Sequence, residues 1–412
     1  MESLSMIIEL VAGAWRIRHS LALALLIVVG HSPSILQAAE PVPFNFLYVG
    51  FQDDPDYRPH RAYTGLVLRD RKPPKAGAET AMRESRIIGR SVGVRFSLHE
   101  LTIDGAADIV SAIRRSAQEH RAGVVLLDLP IGPFREVVAG LGRGDDLMLF
   151  NIRHSDNELR GIDCAPALFH TLPSAAMLTD ALAQYLRSRK WTRILLLAGE
   201  TESDSAFADS FDLSARKFGL RILARRSFIL SNDPREREQN NIRLLTGSPD
   251  YDVIFLADNQ GEFGRYVPFA SLLPRPVVGM EGLVPSAWHW TWERHGAPQL
   301  NQRFDRRAKR QMAPEDWAAW AAVRSVVEAV VRSGETDIAA IRNTLVSDDF
   351  TFDTYKGVPA NFRPWNNQLR QPVLLHTHNA VIARAPVEGF LHKDNVLDSL
   401  GIDQRQSPCV MR

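Results

Sequence analysis

At 412 residues the chain exceeds what one hydrophobic core usually organises, so two domains, or one domain with a large second lobe, are expected. Its 49 Lys and Arg stand against 48 Asp and Glu, a net charge of +1, with 45% apolar residues. That balance gives no electrostatic footprint for nucleic acid or an anionic membrane surface, which excludes nucleic acid as the expected partner and favours a small molecule.

Residues 1–39 read as a secretory signal peptide. Arg16, Arg18 and His19 precede the apolar run Leu21–Gly30, and Ala38-Ala39 stand just before Glu40. The apolar run is short for a spanning helix. Leu36 or Gln37 occupies a position where a small residue is preferred, and the segment ahead of Arg16 is unusually apolar, so an uncleaved anchor is the alternative. Beyond about residue 40 no stretch is long and apolar enough to cross a bilayer, and the expectation is an exported, periplasmic, soluble chain. In that oxidising compartment Cys164 and Cys409 either pair or remain two thiols; spacing alone does not decide.

From Phe44 short apolar runs alternate with amphipathic stretches, the pattern of βαβ units around a parallel sheet. Strands are predicted at Phe44–Phe51, Val92–Leu101, Val124–Leu129 and Asp146–Ile152, with helices at Gly77–Ile88, Ala106–Arg121 and Phe134–Leu141. In the second helix Ile109, Val110, Ile113 and Ala117 share a face, and Gly123 is read as its stop. The arrangement then repeats, with strands at Arg193–Ala198, Arg221–Leu230, Tyr251–Ala257 and Pro276–Met280. The intervening helices are Ala175–Arg189, capped by Ser174, then Ser205–Phe218, stopped by Gly219, Arg235–Leu245 and a short one near Phe263–Leu273.

The remainder breaks that rhythm. Helices are expected at Gln299–Arg310, Pro314–Arg332 and Asp337–Leu345, then a turn-rich stretch and a strand pair within Val373–Ala385, with Ser407–Arg412 as a loose tail. Trp317, Trp320, Ala321, Val326 and Val330 mark the buried side of the long helix. No P-loop, G-x-G-x-x-G, H-E-x-x-H or G-x-S-x-G motif is present, and Gly140, Gly142 and Gly144 follow a helix, the wrong order for a phosphate cradle.

Gly77-Ala-Glu-Thr-Ala-Met-Arg-Glu84, followed by Ile88-Gly-Arg-Ser-Val-Gly-Val-Arg-Phe96, resembles the first helix and second strand of the binding proteins of branched-chain amino acid type ABC transporters. Leu172-Pro-Ser174, Lys190-Trp191, Tyr251-Asp-Val-Ile-Phe-Leu256 and Trp317-Ala-Ala-Trp-Ala-Ala-Val-Arg-Ser325 resemble later landmarks of that family in the same order. Tyr48-Val-Gly-Phe-Gln-Asp-Asp54 and the arginine-rich insertion Tyr57–Pro74 are more narrowly similar to a subgroup found with pyrroloquinoline quinone (PQQ)-dependent alcohol dehydrogenase systems.

The resemblance implies an α/β fold of two Rossmann-like lobes with parallel sheets joined by a three-stranded hinge, the type I periplasmic binding protein architecture. Lobe one would comprise 40–168 plus 285–370, lobe two 169–284 plus 371–395, and 396–412 a C-terminal tail. Ligand would sit beyond the carboxyl ends of the strands, in the cleft between lobes.

The candidate ligand-binding residues are therefore those that follow strands. Gln52, Asp53, Asp54 and Asp56 offer carboxylates for an amine or a hard cation, or simply cap a turn. Asp128-Leu-Pro-Ile-Gly132 lacks the family's hydroxyl, and Pro130 removes a donor, which argues against an α-amino acid ligand. Arg153, His154 and Ser155 form a polar trio able to hold an anion, the alternative being an arginine salt-bridged at the hinge. Glu200 and Glu202, Asp258 and Asn259, and Glu281 complete the strand ends of the second lobe. Trp288, Trp290 and Trp292, at strand spacing, would share one face and could stack on a flat ligand, or pack in the core.

The leading expectation is a non-catalytic, monomeric receptor that closes on a small molecule and presents it to an ABC permease in the inner membrane, with no cofactor and no metal. A carrier or sensor subunit of an alcohol-oxidation system is the second reading. A periplasmic hydrolase using Ser155 and His154 is the third, disfavoured because neighbours on a strand point to opposite faces.

Overall fold

The computed structural model describes residues 40–411, apart from 63, 106–107, 230–234, 236–237 and 239. The leader read over 1–39 lies outside the described residues, as does part of the helix expected at Arg235–Leu245.

The first half is a set of βα units: β1 (Val42–Phe51), a small hairpin of β2 (His60–Arg61) and β3 (Val67–Arg69), α1 (Lys75–Ser91), β4 (Val94–Ile103), α2 (Ile109–Glu119), β5 (Ala122–Leu127), α3 (Ile131–Leu141), β6 (Met148–Asn151) and β7 (Leu168–His170). The large strands form one parallel sheet in the order β4-β1-β5-β6-β7. Both faces of β1 are buried: Phe44, Phe46 and Tyr48 enter one core, while Leu47 and Val49 enter another on the opposite side. That division follows from the two-residue period of a strand covered by helices on each face.

The second half repeats the plan with α4 (Ala175–Ser188), β8 (Arg193–Ala198), α5 (Glu202–Lys217), β9 (Arg221–Ser227), α6 (Ile242–Leu245), β10 (Val253–Ala257), α7 (Val267–Ala270) and β11 (Val277–Gly279). Its parallel sheet has the order β11-β10-β8-β9. Counted within each sheet, the second strand lies beside the first, and the third and fourth follow on the other side. The two sheets therefore share one doubly wound topology.

The local signals act as expected at Ser174, whose Oγ accepts from the Met177 N–H at 3.2 Å, and at Gly219, which takes φ 67° after α5. They act differently after α2. There Arg121 adopts the left-handed conformation at φ 48°, and Gly123, read as the stop, lies inside β5 against Ile338.

Beyond β11 come β12 (Val284–Ser286), α8 (Ala297–Ala308), α9 (Pro314–Ser333), α10 (Ile338–Leu345), β13 (Asn361–Phe362), β14 (Leu369–Arg370), β15 (Val373–His376) and β16 (Val381–Ala385). Helix α9 starts with Pro314 at its first position and stops at Gly334, φ 69°. Its Trp317, Trp320, Ala321, Val326 and Val330 are all buried in the core of the first sheet. Helix α1 crosses it so closely that a Cβ on Gly77 would collide with the Asp316 carbonyl.

Strands β12, β15 and β16 form an antiparallel three-stranded sheet. Val373 and Leu375 pack into the core of the second lobe, and the intervening Leu374 into that of the first. Alternation along this single strand thus joins the two cores.

The short strands β7 and β12 were not legible as strands; each is three residues long. Because β7 pairs with β6, Phe169 and His170 belong to the first sheet, a few residues beyond the boundary read at 168. The C-terminal segment is also not loose. Asp398 is buried between Arg363 and Arg370, and Cys409 is bonded to Cys164, with Cα atoms 5.7 Å apart. Among the described residues no helix is long and apolar enough to cross a membrane.

Candidate ligand-binding cleft

A cleft of about 1060 Å³ opens between the carboxyl ends of the two sheets. Loops from both halves line it: Asp56 and Tyr57 after β1, Arg153–Asp156 after β6, Asn259 after β10 and Glu281 after β11. This is the crevice position expected for ligands of open α/β sheets.

The first-lobe wall is organised around Arg153. Asn151, at the end of β6, accepts from the Arg153 and His154 N–H groups at 3.1 and 2.9 Å, which bends the chain sharply there. The Arg153 guanidinium then meets Asp54 through both terminal nitrogens, at 2.5 and 3.2 Å. It reaches Asp56 at 2.7 Å and Asp128 at 3.4 Å. Asp128 also accepts from the Tyr48 hydroxyl at 2.5 Å and from the Tyr57 hydroxyl.

Burial pushes the Asp128 carboxyl above its ordinary range, against the pull of Arg153 and the two phenols. Burial also opposes the charge on Arg153, but the hydrogen bond to Asp54 and the surrounding negative charge hold its pKa above normal. Desolvation works against Asp56 too; Arg153 wins there and holds the carboxyl below its usual range, with Arg71 and Arg69 adding their charge.

The arginine expected to hold a ligand anion is thus saturated by the protein's own carboxylates, within the first lobe rather than at the hinge. His154 donates through Nε2 to the Leu129 carbonyl, 2.7 Å away, and packs edge-on against Phe134. Burial lowers its pKa to about 4. A carbonyl partner requires the proton on Nε2, which leaves the lone pair of the neutral ring on Nδ1, 4.0 Å from Asp156. Ser155 lines the cleft, and its carbonyl accepts from the Ala175 N–H at 2.7 Å.

The second-lobe wall is built from backbone capping. Asp258 accepts from the N–H groups of Gly261, Phe263 and Gly264 at 2.9, 3.1 and 2.7 Å, and burial raises its pKa. The Asn259 N–H donates to Asp204 at 2.6 Å, and Asp204 is itself held by the α5 cap, Thr201. Glu281 lines the cleft and accepts from the Gly282 N–H at 3.2 Å.

Five expected positions do not line the cleft: Asp54 and Asp128 are buried behind Arg153, Asp53 is exposed with φ 53°, and Glu200 and Glu202 are exposed around the start of α5. The tryptophan strip does not form. Ser286 Oγ accepts from the Trp288 N–H at 3.1 Å and turns the chain just after β12, so the strand period ends there. Trp288 is buried and stacked on Trp317, Trp292 is buried with its N–H on the Tyr355 carbonyl, and Trp290 alone of the three is substantially open, at 38% exposure. Beside Trp290 the rings of His289 and His376 stack at 3.9 Å on the cleft wall. Burial, with His376 and His378 nearby, lowers the His289 pKa to about 4.

Sequence reasoning missed Tyr48 and Tyr57. Tyr48 carried a signal, being a phenol on the otherwise apolar Phe44 and Phe46 face of β1. It also missed Arg69, on the hairpin of the arginine-rich insertion, which crosses the cleft and donates to the Asn259 carbonyl at 3.2 Å.

No protein-family model and no curated protein matches this sequence. Solved structures do match in shape. A branched-chain amino acid ABC transporter periplasmic ligand-binding protein from Burkholderia xenovorans superposes with a TM-score of 0.67 at 12% identity, over 90% of this chain and 99% of the other. The leucine-, isoleucine-, valine-, threonine- and alanine-binding protein from Brucella ovis, in its closed conformation, gives 0.66 at 16% identity over the same shares. A solute-binding protein of an ABC transporter from Rhodopseudomonas palustris, in complex with 3,4-dihydroxybenzoic acid, gives 0.58 at 11% identity, over 83% of this chain and 94% of that one. With two parallel sheets of one topology, a three-stranded junction and near-complete superposition in agreement, the chain has the type I periplasmic binding protein fold.

Proposed function

We propose that this protein is the periplasmic solute-binding component of an ABC transporter, which captures a small molecule between its lobes and delivers it, as a monomer, to a permease in the inner membrane. The observation that carries the reading is the cleft of about 1060 Å³, lined from both lobes at the carboxyl ends of their sheets. A cavity of that size holds a small solute, and closure of two lobes around it supplies a signal a permease can read. The leader read over 1–39 supplies export, and lobes of 40–168 plus 285–370 and 169–284 plus 371–395 supply the moving parts.

The missing hydroxyl in the Asp128–Gly132 loop and the occupied Arg153 favour a ligand other than a simple branched-chain amino acid. Association with PQQ-dependent alcohol oxidation belongs to this proposal as genetic context, supported by the Tyr48–Asp54 and Tyr57–Pro74 segments alone.

The test is small-angle scattering of the purified protein with and without candidate solutes. A bound solute is expected to shrink the radius of gyration as the lobes close. Binding with no change in dimensions at any solute contradicts a closing receptor.

A further inference from the structure

Besides the sheet of β12, β15 and β16, the C-terminal segment also joins the two lobes. Leu400 packs in the core of the second lobe. Around it the backbone is held by second-lobe helices. The Gly401 N–H donates to Asp180 of α4 at 2.7 Å, and the Gly401 carbonyl accepts from Lys217 of α5 at 2.9 Å. The Ser399 carbonyl accepts from Gln184 of α4 at 3.2 Å. A Cβ on Gly401, which takes φ 84°, would collide with Met177, so the segment lies directly on α4.

The residues on either side are held by the first lobe. Asp398 accepts from Arg363 and Arg370, each at 2.8 Å, and Arg363 also donates to the Leu400 carbonyl at 2.6 Å. These arginines adjoin Phe362 and Leu369, which belong to the first-lobe core. All three charged groups are buried. Burial pulls the Arg363 pKa below its ordinary value and Asp398 opposes it, so withdrawing Asp398 would strand two buried cations. Further along, Pro408 packs over Gly161, and Cys409 is bonded to Cys164. Cys164 precedes Ala165, which packs in the core on the other face of the first sheet.

Asp398 and Ser399 are neighbours only about 3.8 Å apart at Cα, yet opposite lobes hold them. A change in the angle between the lobes therefore pulls on these bonds, with no slack in the chain to absorb it. The disulfide fixes the end of the segment to the first lobe, and such a closed loop keeps the segment at high local concentration over its seat.

We propose that residues 397–409 form a strap across the hinge that limits how far the lobes open, with the Cys164–Cys409 bond as its latch. The proposal rests on the closing-receptor reading and adds to it a limit on the open state. Excluding wide-open forms raises the fraction of the receptor poised to close, which tightens apparent solute binding.

The experiment is small-angle scattering with amide hydrogen exchange on the solute-free full chain, at a temperature where circular dichroism shows each protein folded. Wild type is compared with Cys164→Ala/Cys409→Ala, which removes the latch without leaving a free thiol, and with Lys217→Met. Lys217 is 38% exposed, and its replacement loosens the second-lobe end of the strap while the disulfide stays intact. Both variants are expected to have a larger radius of gyration than wild type. Exchange at residues 399–401 is expected to be at least about tenfold faster without the latch, as for a segment released from its seat.

Faster exchange with an unchanged radius of gyration means that the segment leaves its seat without the lobes following, and overturns the strap. Unchanged exchange and unchanged radius make the disulfide a passive crosslink and overturn the latch. Where loss of the disulfide prevents folding, Lys217→Met decides, and an unchanged radius in that variant overturns the proposal. Contraction of the wild type by a bound solute is a separate observation, so each of these failures leaves the receptor reading standing.

Discussion

The two walls of the cleft are held by different chemistry. On the first lobe, side chains hold side chains: Arg153, Asp54, Asp56, Asp128, Tyr48 and Tyr57 form one connected, largely buried cluster. On the second lobe, side chains hold backbone: Asp258 collects three N–H groups, and Asp204 fixes the Asn259 N–H. The first arrangement stores charge in a low-dielectric site and depends on every partner. The second shapes a loop and commits most of its carboxylate's acceptor capacity to the backbone. Both walls are preorganised by their own bonds, and Arg69 ties one to the other through the Asn259 carbonyl.

The largest expected effect comes from breaking the first wall. Arg153→Met leaves Asp54 and Asp128 buried without their cation, and removing one partner of such a cluster costs about 3–5 kcal/mol. Urea denaturation checks it, and a loss under about 1 kcal/mol would mean the cluster behaves as a solvated surface pair. A smaller loss, about 1–3 kcal/mol, is expected from Asp258→Ala on the second wall, where three N–H donors lose their acceptor but a loop is free to rewet. Equal losses for the two variants would erase the contrast between the walls.

A pH profile sharpens it further. His154 is neutral in the fold, with a pKa lowered to about 4 against an ordinary value near 6.5. A depressed value means the unfolded chain binds the proton first, so this stabilisation is present above about pH 6.5 and is lost as pH falls towards 4. The stability difference between wild type and His154→Gln is expected to shrink steadily over that window, read by denaturation at each pH. A constant difference would show that the ring does not titrate between those limits.

Much of the fold was legible because it rests on periodicity. The predicted strand Arg193–Ala198 and the long helix from Pro314 are built where their apolar patterns place them, and the doubling of the βα plan was visible as a repeat. The candidate site was legible only as positions after strands. Arg153 and Asp54 are separated by 99 residues, and nothing local to either indicates that they neutralise each other. The tryptophans at 288, 290 and 292 mislead for a related reason: their spacing describes a strand that ends at Ser286, where a side-chain hydrogen bond turns the backbone. The pairing of Cys164 with Cys409, across 245 residues, was likewise invisible to spacing.

The most direct test of the central claim is the melting temperature of the purified protein across a panel of amino acids, alcohols and organic acids, repeated with Trp290→Ala. A solute held only by the folded state at a hundred times its dissociation constant adds about 2.7 kcal/mol of stability. The expected result is stabilisation by at least one solute, and its loss in Trp290→Ala. No stabilisation by any solute, or stabilisation that persists unchanged in that variant, would contradict a ligand site in this cleft.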